Sequence, residues 1–144
     1  MKYGALEQSD LSDQLTYDAL GGMGFMQGVV IDAHFTKKGR QGRLWTVVLN
    51  TRYLVNGAVH GLGVDENTAL VCEGQVCRVV GAGGVWGVDV GWAVVDRRRM
   101  RGARTFYITQ GDVLRLSDWK VVFDSTKTKI VEANNAGVQI SRFS

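Results

Sequence analysis

Apolar and polar positions along the chain change period several times, and each change predicts an element. Residues 27–35, "QGVVIDAHF", form a short apolar run that reads as a strand with Asp32 and His34 at its end. In "GRQGRLWTVVLNTRYL" the apolar positions Leu44, Val47, Val48 and Tyr53 follow helical spacing, which breaks near Asn56-Gly57. Four valine-rich runs then predict strands: "AVHGLGV", "TALVCE", "QVCRVVG" and "GVWGVDV". "RTFYITQGD" and "DWKVVF" read as further strands. The polar, mixed opening (residues 1–22) reads as a lead-in, and the polar stretch 125–144 as a peripheral tail. With no internal repeat and no linker, residues 1–144 are expected to form one mixed α/β domain, strand-rich with hairpins and one helix.

Composition sharpens this reading. Nineteen glycines and no proline, spread between short valine runs, favour many strands and tight turns over a helical bundle. Apolar residues at 45% and charged residues at 22% are ordinary for a globular domain. No apolar run is long enough for a membrane helix, and the opening lacks the apolar core of a signal peptide, so neither is expected on this chain. The net charge of +3 decides nothing about partners, because most of the excess lies in "RRRMRGAR". That run reads as a solvated loop, with a protease-sensitive site or a patch for an acidic partner as alternatives. It lacks interleaved aromatics, which argues against nucleic acid. Trp45, Trp86, Trp92 and Trp119 read as core or interface residues, and His60 as structural. No set of Cys, His and carboxylates has metal-ligand spacing, and no cofactor is called for.

The two cysteines lie in "LVCEGQVCRVV", which reads as a hairpin with Gly74-Gln75 at its tip in a type II′ turn. That register sets Cys72 opposite Cys77 at a non-hydrogen-bonded pair, within reach of a disulfide. The other reading is two small buried apolar residues in a reducing compartment.

The chemistry concentrates at residues 30–45, "VIDAHFTKKGRQGRLW". His34 suits proton transfer near neutrality, provided a carboxylate holds its tautomer. Asp65 and Glu66, in "HGLGVDENTAL", lie between two strand-like runs and could supply that carboxylate. By themselves these residues read first as a packed or capping histidine and a turn or cap. Lys37, Lys38, Arg40 and Arg43 place four cations before a predicted helix, where the helix dipole opposes them. That local conflict points to a task such as gripping a carboxylate.

"GGMGFMQGVVIDAHFTKKGRQGRL" together with "GLGVDENTAL" resembles the cyanophycinase family of serine peptidases, the group that includes aspartyl dipeptidase. The resemblance runs from about Tyr3 to Asp112. It implies the C-terminal half of a flavodoxin-like, class I amidotransferase-like αβα sandwich and a Ser-His-Glu hydrolase. Carried over by position, His34 is the general base and Glu66 orients it, with Asp65 the second choice. Asp32, Lys38, Arg40 and Arg43 match the pocket that holds the charged ends of the substrate. Ala33 stands where the family has Gln or Thr, and Lys38 where it has Arg, so a β-aspartyl-arginine specificity is not carried over.

The nucleophile of such an enzyme sits on a strained strand-to-helix turn. The family carries it as "GTSAG", upstream of the matched region. Ser9, Ser12, Ser117, Ser125, Ser141 and Ser144 all lie outside any glycine-flanked elbow. The resemblance therefore implies a second, N-terminal chain bearing the serine, with a peptide, possibly β-aspartyl, as substrate. A non-catalytic assembly or binding protein derived from the family, or an incomplete sequence, are the alternatives. Half of a parallel sheet covered by one helix is also expected to leave a large apolar face.

Overall fold

The computed structural model describes residues 23–53, 57–96, 99–124, 126, 130–134 and 137–141. The lead-in 1–22, Asn56 of the helix break and Arg97 and Arg98 of the arginine run lie outside them. The elements in chain order are β1 (Val29–Ala33), α1 (Gln41–Thr51), β2 (His60–Val64), β3 (Thr68–Glu73), β4 (Val76–Gly81) and β5 (Gly84–Asp89). They continue with β6 (Val94–Asp96), β7 (Arg99–Arg101), β8 (Arg104–Thr109), β9 (Val113–Arg115), β10 (Lys120–Val122), β11 (Ile130–Asn134) and β12 (Gly137–Ser141).

Three layers result. A six-stranded sheet in the order β1-β2-β5-β8-β11-β12 forms the middle. Helix α1 covers one face at β1 and β2, and a four-stranded sheet, β10-β9-β4-β3, covers the other. Strands β6 and β7 make a separate two-stranded ribbon. The architecture is thus α/β and strand-rich. Among the described strands only β1 and β2 run parallel, joined by a crossover through α1; β5, β8, β11 and β12 add antiparallel pairings. The parallel character expected of the sheet therefore stops at one pair. The face opposite α1 is not bare, because the second sheet covers it.

Period-2 alternation explains how β2 serves both sides. Leu62 faces the second sheet and packs with Cys77, Val79, Val85, Phe106, Ile108, Leu114 and Trp119. Gly61 and Gly63 face the helix side, where a Cβ on Gly61 would stand 2.8 Å from Val48 and 3.0 Å from Leu44. The glycines let α1 lie close to the strand. A second core forms there from Phe35, Leu44, Val48, Val88 and Val90. Full burial of each such side chain contributes about 1.5–3 kcal/mol.

Several sequence expectations change at the edges. Tyr53, counted among the helical positions, lies beyond the end of α1 and is 80% exposed. "DWKVVF" is not one strand: Trp119 sits in the turn before β10, and β10 pairs with β9, a strand the short run "VLR" did not announce. The tail is not merely peripheral, since β11 and β12 extend the main sheet through the Glu132–Phe106 and Ala133–Thr105 pairs. The predicted hairpin has Cys72 opposite Cys77, with Gly74 at φ +58° in its turn. The two cysteines form a disulfide with a Cα separation of 4.0 Å.

Candidate active site

Parallel pairing brings the C-terminal ends of β1 and β2 together, Ala33 against Val64. In open α/β sheets the loops at this end are where ligands gather. His34, the first residue past β1, has φ +52°, a left-handed conformation that costs a non-glycine residue free energy. The neighbouring contacts hold it there. Phe35 is 1% exposed, its N–H donates to Val64 O at 3.3 Å, and its ring lies over Gly63. With Phe35 pinned inward, the His34 side chain projects outward and is 59% exposed.

The loop after β2 supplies two carboxylates with separate tasks. Glu66 Oε1 lies 3.0 Å from His34 Nδ1, and Glu66 Oε2 accepts from Lys37 Nζ at 3.0 Å. The hydrogen bonds from Lys37 and then His34 hold the Glu66 carboxyl below its ordinary pKa. Ionised, Glu66 only accepts, so a neutral His34 carries its proton on Nδ1 and turns a basic Nε2 outward. Nε2 has no hydrogen-bond partner among the described residues.

Asp65 is the frame. Its Oδ1 accepts Thr36 N–H at 2.9 Å, and its Oδ2 accepts Gly84 N–H at 3.2 Å and Tyr107 O–H at 2.7 Å. One carboxylate thus ties the histidine loop to β5 and β8. Burial alone raises the Asp65 pKa, but the bonds from Thr36, Tyr107 and Gly84 outweigh it and leave the pKa lowered. Burial, with the bond to Asp65, pushes the Tyr107 hydroxyl up to about 12. Because the folded pKa of Asp65 is depressed, its contribution is present above its unfolded value of about 3.9 and fades as pH falls through the lower folded value. Asp65→Asn is therefore expected to destabilise by about 1–2 kcal/mol at pH 7. The difference from wild type should shrink below about pH 4. Urea unfolding at several pH values measures it, and a pH-independent loss would remove the carboxylate from this role.

The cations ahead of α1 are not a free grip. Arg40 Nη1 donates to Asp32 Oδ1 at 2.9 Å and to Ala33 O at 2.7 Å, while Arg43 Nε donates to Asp32 Oδ2 at 3.0 Å and its Nη2 to Oδ1. Asp32 is largely buried beneath them and also accepts Ala33 N–H. This carboxylate offsets the dipole conflict at the helix start, where Arg40 is the N-cap without a side-chain cap. Among the described residues Arg40 Nε and Nη2 and Arg43 Nη1 have no partner, so each retains part of its fork there. Lys38 is exposed on the same loop.

The fold thus brings His34, Glu66, Asp32, Lys38, Arg40 and Arg43 to one end of the sheet. Cys72 and Cys77 belong to the β3–β4 hairpin of the second sheet. Sequence reading counted Lys37 among the cations suited to gripping a carboxylate without naming Glu66 as the one it holds, and it passed over Tyr107, which nothing local in "RTFYITQGD" marks. No family model matches the chain.

Proposed function

We propose that this chain is the base-supplying half of a two-chain serine-type hydrolase of the cyanophycinase kind, acting on peptide bonds near a negatively charged group. The observation that carries the reading is the His34–Glu66 pair, with Nδ1 held at 3.0 Å and Nε2 left exposed and unpartnered among the described residues. A dyad oriented this way suits an incoming hydroxyl and needs a nucleophile from elsewhere. The apolar edge beside it supports a missing half of a flavodoxin-like sandwich. Strand β1 is the outer strand of the main sheet, Ile31 on it is 53% exposed, and Met23 and Phe25 just before it are 85% and 86% exposed.

In this mechanism a serine on the N-terminal partner chain gives its proton to His34 Nε2 as its oxygen attacks the amide carbonyl. Glu66 stabilises the imidazolium through Nδ1. His34 then delivers the proton to the leaving amine, and in the second half it takes a proton from water to hydrolyse the acyl-enzyme. The remaining donors of Arg40 and Arg43, with Lys38, favour an anionic group on the substrate, as a β-aspartyl peptide presents. No cofactor enters any step.

Mass spectrometry of the native material, first under non-denaturing and then under denaturing conditions, tests the reading. The expected result is a complex that releases a second chain bearing a glycine-flanked serine. A complex built only from this chain would overturn the hydrolase and leave an assembly or binding protein that kept the dyad.

A further inference from the structure

A second constellation lies at the opposite end of the same sheet. His60 opens β2, Asp89 closes β5 as its partner across the pair, and Arg104 opens β8 opposite Asp89. Together with Trp92, Asp118 and Trp119 they line a cleft of about 340 Å³. His34 follows the far end of β1, so the hydrolase chemistry uses none of these residues.

Four features mark the cleft as more than packing. The His60 ring stacks on Trp119 with centroids 4.0 Å apart and planes 16° apart, yet its Nε2 stands 3.6 Å from Asp89 Oδ1, beyond a hydrogen bond. Trp119 is 6% exposed, and its indole N–H is buried without a partner among the described residues, a deficit that folded proteins seldom leave unanswered. Trp119 also has φ +52°, and the two other non-glycine residues with positive φ among those described are His34 and Asn67, both beside the dyad. Backbone strain in this chain thus gathers at two places, and strain of this kind clusters at functional sites. At the rim, Trp92 is 81% exposed, a large aromatic face turned to solvent beside a polar cleft.

Each carboxylate of the cleft is already paired with a guanidinium, Asp89 with Arg104 of the lining and Asp118 with Arg115 outside it. Asp89 is bound by Arg104 through Nε at 3.1 Å and through Nη2, and Asp118 is paired with Arg115 at 2.7 Å. Burial lowers the His60 pKa, Asp89 opposes and Arg104 reinforces, so the imidazole is neutral at pH 7. An anionic ligand would meet the carboxylates of Asp89 and Asp118, and a cationic one would meet the guanidinium of Arg104 and carboxylates already paired with arginines. A neutral ligand whose groups both donate and accept matches the leftover lone pairs and N–H groups. The aromatic faces call for an apolar face on the same ligand.

We infer that this cleft binds a neutral hydroxylated ring of the saccharide class, its C–H face against Trp92 and its hydroxyls between His60, Asp89, Arg104 and Asp118. The inference is independent of the hydrolase reading. Tryptophan fluorescence and calorimetric titration of the full chain with glucose, N-acetylglucosamine, maltose and cellobiose test it, with indole and free arginine as comparators. At least one sugar is expected to bind saturably with a dissociation constant of about 1 mM. Trp92→Ala, on an exposed side chain, and His60→Phe, which keeps a stacking ring without nitrogens, should each weaken it at least about tenfold, a loss of about 1.4 kcal/mol. His34→Ala should leave it unchanged. No saturable binding by any of the four sugars, tighter binding of indole or arginine, or undiminished binding in both cleft variants would overturn the assignment.

Discussion

His34→Ala is expected to lower turnover by the proposed two-chain hydrolase by about four to six orders of magnitude, because a serine hydroxyl without its base is a poor nucleophile. Assembly with the partner chain and the melting temperature should hardly change, since the side chain is mostly exposed. Glu66→Gln separates orientation from basicity. A glutamine can turn its amide N–H toward Nδ1 and stabilise the wrong tautomer, and the expected loss is about 10²–10⁴-fold. Lys37→Ala removes only the second partner of Glu66, on a side chain 72% exposed, so a loss of a few-fold is expected. Steady-state kinetics on β-aspartyl peptides, with equal assembly verified by native mass, give the ranking. A His34→Ala complex retaining more than about one-hundredth of wild-type turnover would place the base elsewhere.

The ranking depends on a geometry that was partly legible in the sequence. The turn residues in "LVCEGQVCRVV" predicted the β3–β4 register, because a two-residue loop determines which residues face each other. The helix was readable from its apolar spacing, although its C-terminal end was not. The residue after Thr51 is Arg52, which reaches across to Ala93 O at 2.8 Å, a tertiary contact no local pattern announces. The polar residues around β11 hid its place in the main sheet, since strand pairing uses backbone groups that every residue carries. At the site, the resemblance supplied His34 and Glu66, and the structure brings them within hydrogen-bond distance. The internal neutralisation of Arg40 and Arg43 by Asp32 was out of reach, because the separation of eight and eleven residues is bridged only when the β1–α1 turn folds.

That turn hangs on one glycine. A Cβ on Gly63 would stand 2.3–2.5 Å from three atoms of the Phe35 ring, closer than real carbon contacts permit. Phe35 in turn packs with Leu44, Val48, Val88 and Val90, none of them more than 1% exposed, so the ring has no free space to enter. Gly63→Ala should cost about 3 kcal/mol, the upper range for overpacking, or roughly 6–12 °C in melting temperature for a chain of this size. Activity should fall further than stability predicts, because any shift of Phe35 is carried by the next peptide unit to His34, and a 1 Å displacement can cost about 100-fold. The same methyl at Gly42, inside α1 with nothing within 4 Å, should instead stabilise by about 0.5–1 kcal/mol. Pairing Gly63→Ala with Phe35→Leu tests the cause through the coupling of neighbouring substitutions. If the clash is responsible, the double variant regains part of the loss of Gly63→Ala; strict additivity would mean that Gly63 serves the backbone of β2 and not the seat of Phe35.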